Sequence, residues 1–192
     1  MVWLSTETMS ILEEEMEQEK MVQLVVFRLC DEMYGVEILD VWEIVTTGEI
    51  TIVPNSPDFL RGIINFRSNI VAVIDLEKRF RLHREGENIG DHVMIVRIGN
   101  SVFGLLVDEV TDVLRLPEEE IRAPPAIITE KIGIDFVKGV GTLEDRLIIL
   151  LDLEKVLDEK ELIELMKTSD MAAGEATPSA EMEVQKLPEK GT

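Results

Sequence analysis

Covalent and acid–base catalysis need a nucleophile beside a base, and metal chemistry needs converging histidines, cysteines or carboxylates. This chain holds one cysteine, Cys30, and two histidines, His83 and His92. Neither histidine has an i, i+4 histidine partner or a CxxC pair, so both read as surface residues around the loop from Arg81 to Asp91. Cys30 follows Phe27, Arg28 and Leu29 at the end of an apolar run and reads as a small hydrophobe near a strand end. No GxSxG elbow, Walker A loop or GxGxxG fingerprint occurs. Gly139-Val140-Gly141 is only a GxG, which marks a bend where strands approach closely. Asp75 and Glu77 have the right chemistry for a general acid and base, but nothing in their spacing makes them converge. A solvated acidic face explains them more simply. The expectation is therefore no catalytic residue, no metal site and no cofactor. A small β-barrel enzyme using surface carboxylates stands as the alternative from another class.

Two charges are placed differently. Glu43 interrupts Val41-Trp42-Glu43-Ile44-Val45, and Arg67 interrupts the apolar stretch from Gly62 to Ile74. A charge on a strand of a small β domain is costly unless it is exposed or paired. If the two strands are neighbours, Glu43 and Arg67 pair across them; otherwise both point to water.

The elements that must position these residues are short. Val22 to Cys30 and Met33 to Ile38 form a predicted hairpin around Asp31-Glu32, and Val41 to Thr47 a further strand. Pro54 and Pro57 punctuate a loop and open a helical turn through Phe59 and Leu60. Gly62 to Phe66 and Ile70 to Ile74 follow. His92 to Ile98 and Val102 to Val107 flank Gly99-Asn100, a two-residue connection suited to positive φ. Val110 to Leu116, a loop-rich stretch around Pro117, Pro124 and Pro125 with a turn at Glu118 to Glu120, Val137 to Leu143 and Arg146 to Leu151 complete the series. Only Asp152 to Met166 changes to helical periodicity. Many short strands and one terminal helix predict barrels or a sandwich, a mainly β fold.

The flanks differ in composition. Residues 1–20 form an acidic extension with a capping-box pattern at Ser10 and Glu13 and a short expected helix from about Ile11 to Lys20. Residues 21–166 form the folded domain, and 167–192, without periodicity, an expected disordered tail. The net charge of −20 repels phosphate backbones and anionic membranes. Nucleic acid and membrane insertion are thus disfavoured as partners. The N-terminus lacks the pattern of a signal peptide, no run approaches the ~20 apolar residues of a membrane span, and a lone cysteine suits a reducing cytosol.

In the order and spacing of these segments, the chain resembles the CheW family of chemotaxis coupling proteins from about Gln23 to Leu165. Leu24-Val25-Val26-Phe27 and Asp31 to Ile38 are similar to the family's first hairpin, and Val41-Trp42-Glu43-Ile44 to its V-x-E-I signature. Gly62-Ile63-Ile64-Asn65-Phe66-Arg67 with Val73-Ile74-Asp75-Leu76, then Gly104 to Val110, then Gly139-Val140-Gly141 with Arg146 to Asp152, resemble the later blocks. Ser68 replaces the Gly that usually follows the arginine, and Ala72 a frequent Pro. The resemblance implies two intertwined SH3-like five-stranded β-barrels with a C-terminal helix. It implies a non-catalytic cytoplasmic adaptor recruited to membrane-associated receptor arrays. One barrel would bind the CheW-like regulatory domain of the histidine kinase CheA. The groove between barrels would receive the cytoplasmic tip of a chemoreceptor. A related kinase pathway controlling something other than swimming is the variant of this reading. Glu43 and Arg67 fall on the family's paired acid and arginine, and Val41 and Gly62 in the region of kinase and receptor contact.

Overall fold

Most strands of this chain are continuous apolar runs, which is what a strand buried on both faces requires. The computed structural model describes residues 21–84, 90, 92–143 and 145–175. Its strands run in the order β1 (Met21–Leu29), β2 (Glu32–Glu37), β3 (Val41–Thr46), β4 (Leu60–Phe66), β5 (Asn69–Asp75), β6 (His92–Ile98), β7 (Ser101–Val107), β8 (Glu109–Pro117), β9 (Val137–Leu143) and β10 (Arg146–Leu151). Among the described residues four α-helices accompany them: α1 (Leu76–Arg79), α2 (Ala126–Ile132), α3 (Leu153–Val156) and α4 (Glu159–Glu175). The strands form two five-stranded sheets, ordered β8-β1-β2-β10-β9 and β3-β6-β7-β5-β4. The expected pair of interleaved five-stranded β units is present.

The two sheets have the same plan. Each is antiparallel except at one internal pairing, β10 with β2 in the first sheet and β5 with β7 in the second. Matching the orders position by position equates β1–β5 with β6–β10, so the chain is built from two like halves. Each half gives two strands to one sheet and three to the other, which interlocks them. Details repeat with the plan. Tyr34-Gly35 and Phe103-Gly104 occupy matching places beside the parallel strand. Asp75-Leu76-Glu77-Lys78 and Asp152-Leu153-Glu154-Lys155 end the matching strands β5 and β10 and begin α1 and α3.

The largest apolar cluster lies between the sheets, with Phe27, Tyr34 and Val36 from the first and Ile74, Met94, Val96, Phe103 and Leu105 from the second. Smaller clusters fill the opposite faces: Leu24, Val26, Leu116, Ile148 and Leu150 in one sheet, Val71, Val73, Val93, Ile95 and Leu106 in the other. Thus β1 buries Val25 and Phe27 on one face and Leu24 and Val26 on the other. The edge strand β3 instead alternates half-buried with exposed residues.

Several local expectations are corrected. The first hairpin turns at Cys30-Asp31, with Leu29 opposite Glu32, one residue earlier than expected. Cys30 adopts φ 56°, matching Gly99 at φ 58° in the expected second hairpin. Leu60 is a buried first residue of β4, not part of a helical turn. The stretch after Pro125 is α2, ended by Gly133 at φ 106°, the asymmetry of proline before and glycine after a helix. The terminal helix breaks at Leu157–Asp158 because Asp158 and Glu161 form a capping box: Asp158 Oδ1 accepts from the Glu161 amide, and Glu161 Oε2 from the Asp158 amide, at 2.8 and 2.9 Å. Downstream, α4 passes Met166 and reaches Glu175, into the stretch 167–192 expected to be unstructured. Met171, Ala172 and Ala173 favour helix there, and no proline intervenes before Pro178. The expected helix at Ile11 to Lys20 lies outside the described residues.

Candidate functional site

Glu43 owes its direction to a bulge. Val41 stands opposite Val96 and Glu43 opposite Ile95, leaving Trp42 as the extra residue. Val96 belongs to the shared core and Ile95 to the opposite face of the sheet. Without the bulge, Val41 and Glu43 would share a face. With it, Val41 packs against the shared core, Glu43 turns to the other side, and Trp42 is 59% exposed.

Arg67 comes to meet Glu43 from the β4–β5 turn. Arg67 and Ser68 both have positive φ, 49° and 67°, as a tight two-residue hairpin turn requires. The Ser68 amide donates to Asn65 Oδ1 at 3.1 Å, and Asn69 Nδ2 donates to the Arg67 carbonyl at 3.3 Å. The guanidinium lies 5.3 Å from the centre of the Phe66 ring and donates to Glu43 Oε2. The expected pair therefore exists, though its strands are not neighbours. β3 and β4 are the two outer strands of the second sheet, and the ion pair spans from one edge to the other. Periodicity cannot show this, because edge-to-edge proximity is a property of the whole sheet.

Beside the pair, Trp42, Phe66, Arg67, Ile70, Val102 and Met166 line a pocket of about 430 Å³. Its walls come from β3, the β4–β5 turn, β5, β7 and α4. Ile44 continues the exposed apolar face of β3.

Gly62 plays a different part. It is buried at φ 148°, and a Cβ there would lie 2.4 Å from the Thr51 carbonyl oxygen. Thr51 and Ile63 exchange backbone hydrogen bonds at 2.9 Å, so Gly62 lets the segment before β4 lie against that strand. The surface next to it carries Arg61 and Lys78, which with Ile50 and Ile52 line a concavity of about 600 Å³.

The other candidate chemistry does not assemble. Asp75 caps α1 by accepting from the Lys78 amide at 3.2 Å, while Glu77 accepts from Arg84 at 2.8 Å. His92 Nδ1 lies 3.2 Å from the Asp108 carbonyl oxygen. Among the described residues, no cluster of three or more potential metal ligands occurs. The Cys30 thiol is pushed above its usual range, first by burial and then by the nearby Glu77 carboxylate, so it is not activated as a nucleophile. Two networks escaped the sequence reading. Arg84 bonds both Glu77 and Asp108, and Asp108 Oδ2 accepts from the Cys30 amide at 2.8 Å, tying the chain after α1 to the first hairpin. Arg79 joins the start of α4. No spacing rule signals either network, since apart from Glu77 and Arg84 the partners lie 24 to 82 positions apart.

Interlocked sheets with an exposed apolar edge strand, and a surface pocket flanked by an ion pair, define a small β scaffold. Residues 23–161 match the family model described as a CheW-like domain, and the chain belongs to the CheW family. It is 34% identical over 151 residues to "Chemotaxis protein CheW" of Treponema pallidum, covering 77% of this chain and 88% of that protein. It is 36% identical over 140 residues to the Klebsiella aerogenes protein of the same name, covering 73% and 84%. Among solved structures it is similar to the scaffolding protein TtCheW from Thermoanaerobacter tengcongensis, with TM-score 0.66 and 38% identity over 73% of this chain and 90% of that one. No helix among the described residues is long and apolar enough to cross a membrane.

Proposed function

We propose that the chain is a non-catalytic chemotaxis adaptor that couples transmembrane chemoreceptors to the histidine kinase CheA in signalling arrays, working on the cytoplasmic side. The observation that carries this reading is the β3 edge: Trp42 and Ile44 stand exposed beside the Glu43–Arg67 pair, in a chain of a scaffold family. An open edge strand with apolar side chains is a docking surface for another β domain or an amphipathic helix. Val41 and the bulge hold Trp42 outward. Gly62 seats the preceding segment, so that Arg61 and Lys78 flank the same sheet. Each contact is modest and individually weak, and the array supplies avidity.

The test is binding of the full chain to the CheA regulatory domain and to a receptor-tip fragment, with kinase activity read in reconstituted receptor assemblies. Arg67 is 73% exposed at its side chain, so Glu43→Lys or Arg67→His should cost under ~1 kcal/mol of stability while weakening coupling. Exchanging the two charges should recover part of the loss, because a paired contact is non-additive. Kinase activity unaltered by either single substitution would defeat this assignment of the site.

A further inference from the structure

Arg79, the last residue of α1, makes more of its contacts outside its own helix than any role in capping that turn demands. Its Nε donates to the Val156 carbonyl at 2.6 Å, and its two terminal nitrogens donate to the two carboxylate oxygens of Glu161, each at 2.8 Å. The guanidinium also lies 4.6 Å from the Phe59 ring centre and 5.2 Å from that of Phe136. Phe59 and Phe136 are matching residues of the two halves, each just before the strand that borders its sheet. Arg79 thus sits at the seam, where the second sheet's α1 meets α3 and α4 arriving from the first. Its match in the other half is Val156, so the contact has no counterpart.

From this geometry we propose that Arg79 is a latch and α4 a hinged wall. The helix leaves α3 through Leu157 and Asp158, crosses to the second sheet and packs against β5. Over residues 159–167 only Leu165 is fully buried, with Leu162 partly so, while Ile163 and Met166 are 52% and 44% exposed. At the first turn of the helix the forked Arg79–Glu161 contact adds a charged tether to this apolar attachment. Glu161 also closes the capping box on Asp158, so one carboxylate both starts the helix and pins it. Five residues further on, Met166 forms one wall of the Trp42–Arg67 pocket, and its Sδ accepts a hydrogen bond from the Ser101 hydroxyl at 3.2 Å. Release of the latch swings Met166 away and opens the pocket, without unfolding either sheet. Arg79 is therefore a positioning residue for that pocket, acting through α4.

The test uses the isolated full chain and needs no partner, so its outcome is separate from that of the adaptor reading. Hydrogen exchange is compared for the native chain, Arg79→Ala, Arg79→Lys and Glu161→Gln. Charged hydrogen bonds of this kind hold a local opening back by about 10- to 100-fold. Amides of residues 162–167 should exchange faster by about that factor in Arg79→Ala, while those of β5 to β7 change far less. Arg79→Lys, which cannot fork, should restore part of the protection. Met166→Cys, placed in a Cys30→Gly background, should react faster with a thiol reagent when Arg79 is also replaced. If Arg79→Ala fails to fold, Glu161→Gln carries the test, since it keeps the ring contacts and the bond to Val156. Unchanged protection of α4 overturns the proposal, as does protection lost equally from α4 and every strand.

Discussion

At the scale of single residues, the chemistry is that of packing and pairing. Cys30 occupies a left-handed turn position where the matching half places Gly99. A side chain in that region costs ~1–2 kcal/mol, partly offset by the extra unfolded-state freedom of glycine. Cys30→Gly should therefore raise stability by about 0.5–1 kcal/mol, seen as a higher urea midpoint at unchanged slope. Tyr34 is the chain's only tyrosine, buried and stacked near Phe27 and Phe80 with its hydroxyl donating to Glu32 at 3.0 Å. Burial first, and the Glu32 carboxylate second, push the phenol well above its ordinary value of 10.0. The neutral form is thus favoured in the native state, and its stabilising effect is complete below the unfolded value and lost as pH rises above it. Absorbance at the phenolate band should stay flat through pH 10 and rise only together with loss of native circular dichroism. A smooth titration at the ordinary value with the fold intact would contradict the packing. The charges of Glu43 and Arg67 were legible as anomalies in apolar runs, whereas the seam arginine Arg79 was not, because its partners are Val156 and Glu161.

At the scale of elements, strands were the most readable part of the chain. β9 and β10 fall where apolar runs and turn residues place them, and Gly99-Asn100 makes the tight hairpin its composition favours. Bulges were not readable, yet they aim the site: each edge bulge breaks the two-residue period that pattern reading assumes. In β4 the register slips between Leu60 and Gly62 and in β9 between Val137 and Gly139, and these two bulges share one device. Gly62 admits Thr51 to β4, and Gly139, whose added Cβ would lie 2.9 Å from the Arg122 carbonyl oxygen, admits Arg122 to β9. Gly62→Ala must both adopt a strained φ and displace backbone, and should cost about 2–4 kcal/mol. Gly139→Ala, which carries no such φ strain and meets the Arg122 carbonyl oxygen at 2.9 Å where Gly62→Ala meets that of Thr51 at 2.4 Å, should cost less. Thermal denaturation of the two variants side by side checks the ranking.

For the molecule as a whole, the consequence of interlocking is cooperativity. The main core is made by both sheets together, and neither half owns a complete sheet. Truncating Phe103, buried in that shared core at 2% exposure, should cost about 3–5 kcal/mol. Both sheets should still melt in one transition, with calorimetric and van't Hoff enthalpies equal. Two separated transitions would mean that the sheets hold together independently of the shared core.

The amino-acid sequence alone determined the β class, the strand inventory, the lack of a catalytic motif and the family-like order of segments. These follow from short-range pattern, turn chemistry and composition. Only the tertiary structure decided that the two halves trade strands, that Glu43 and Arg67 meet across the outer edges of one sheet, and that Arg79 clasps α4 at the seam. The two side-chain contacts join residues 24 and 82 positions apart, and the exchanged strands β2 and β10 pair Met33 with Ile148. Such pairings are set by how sheets close upon a common core, which no local run of residues encodes.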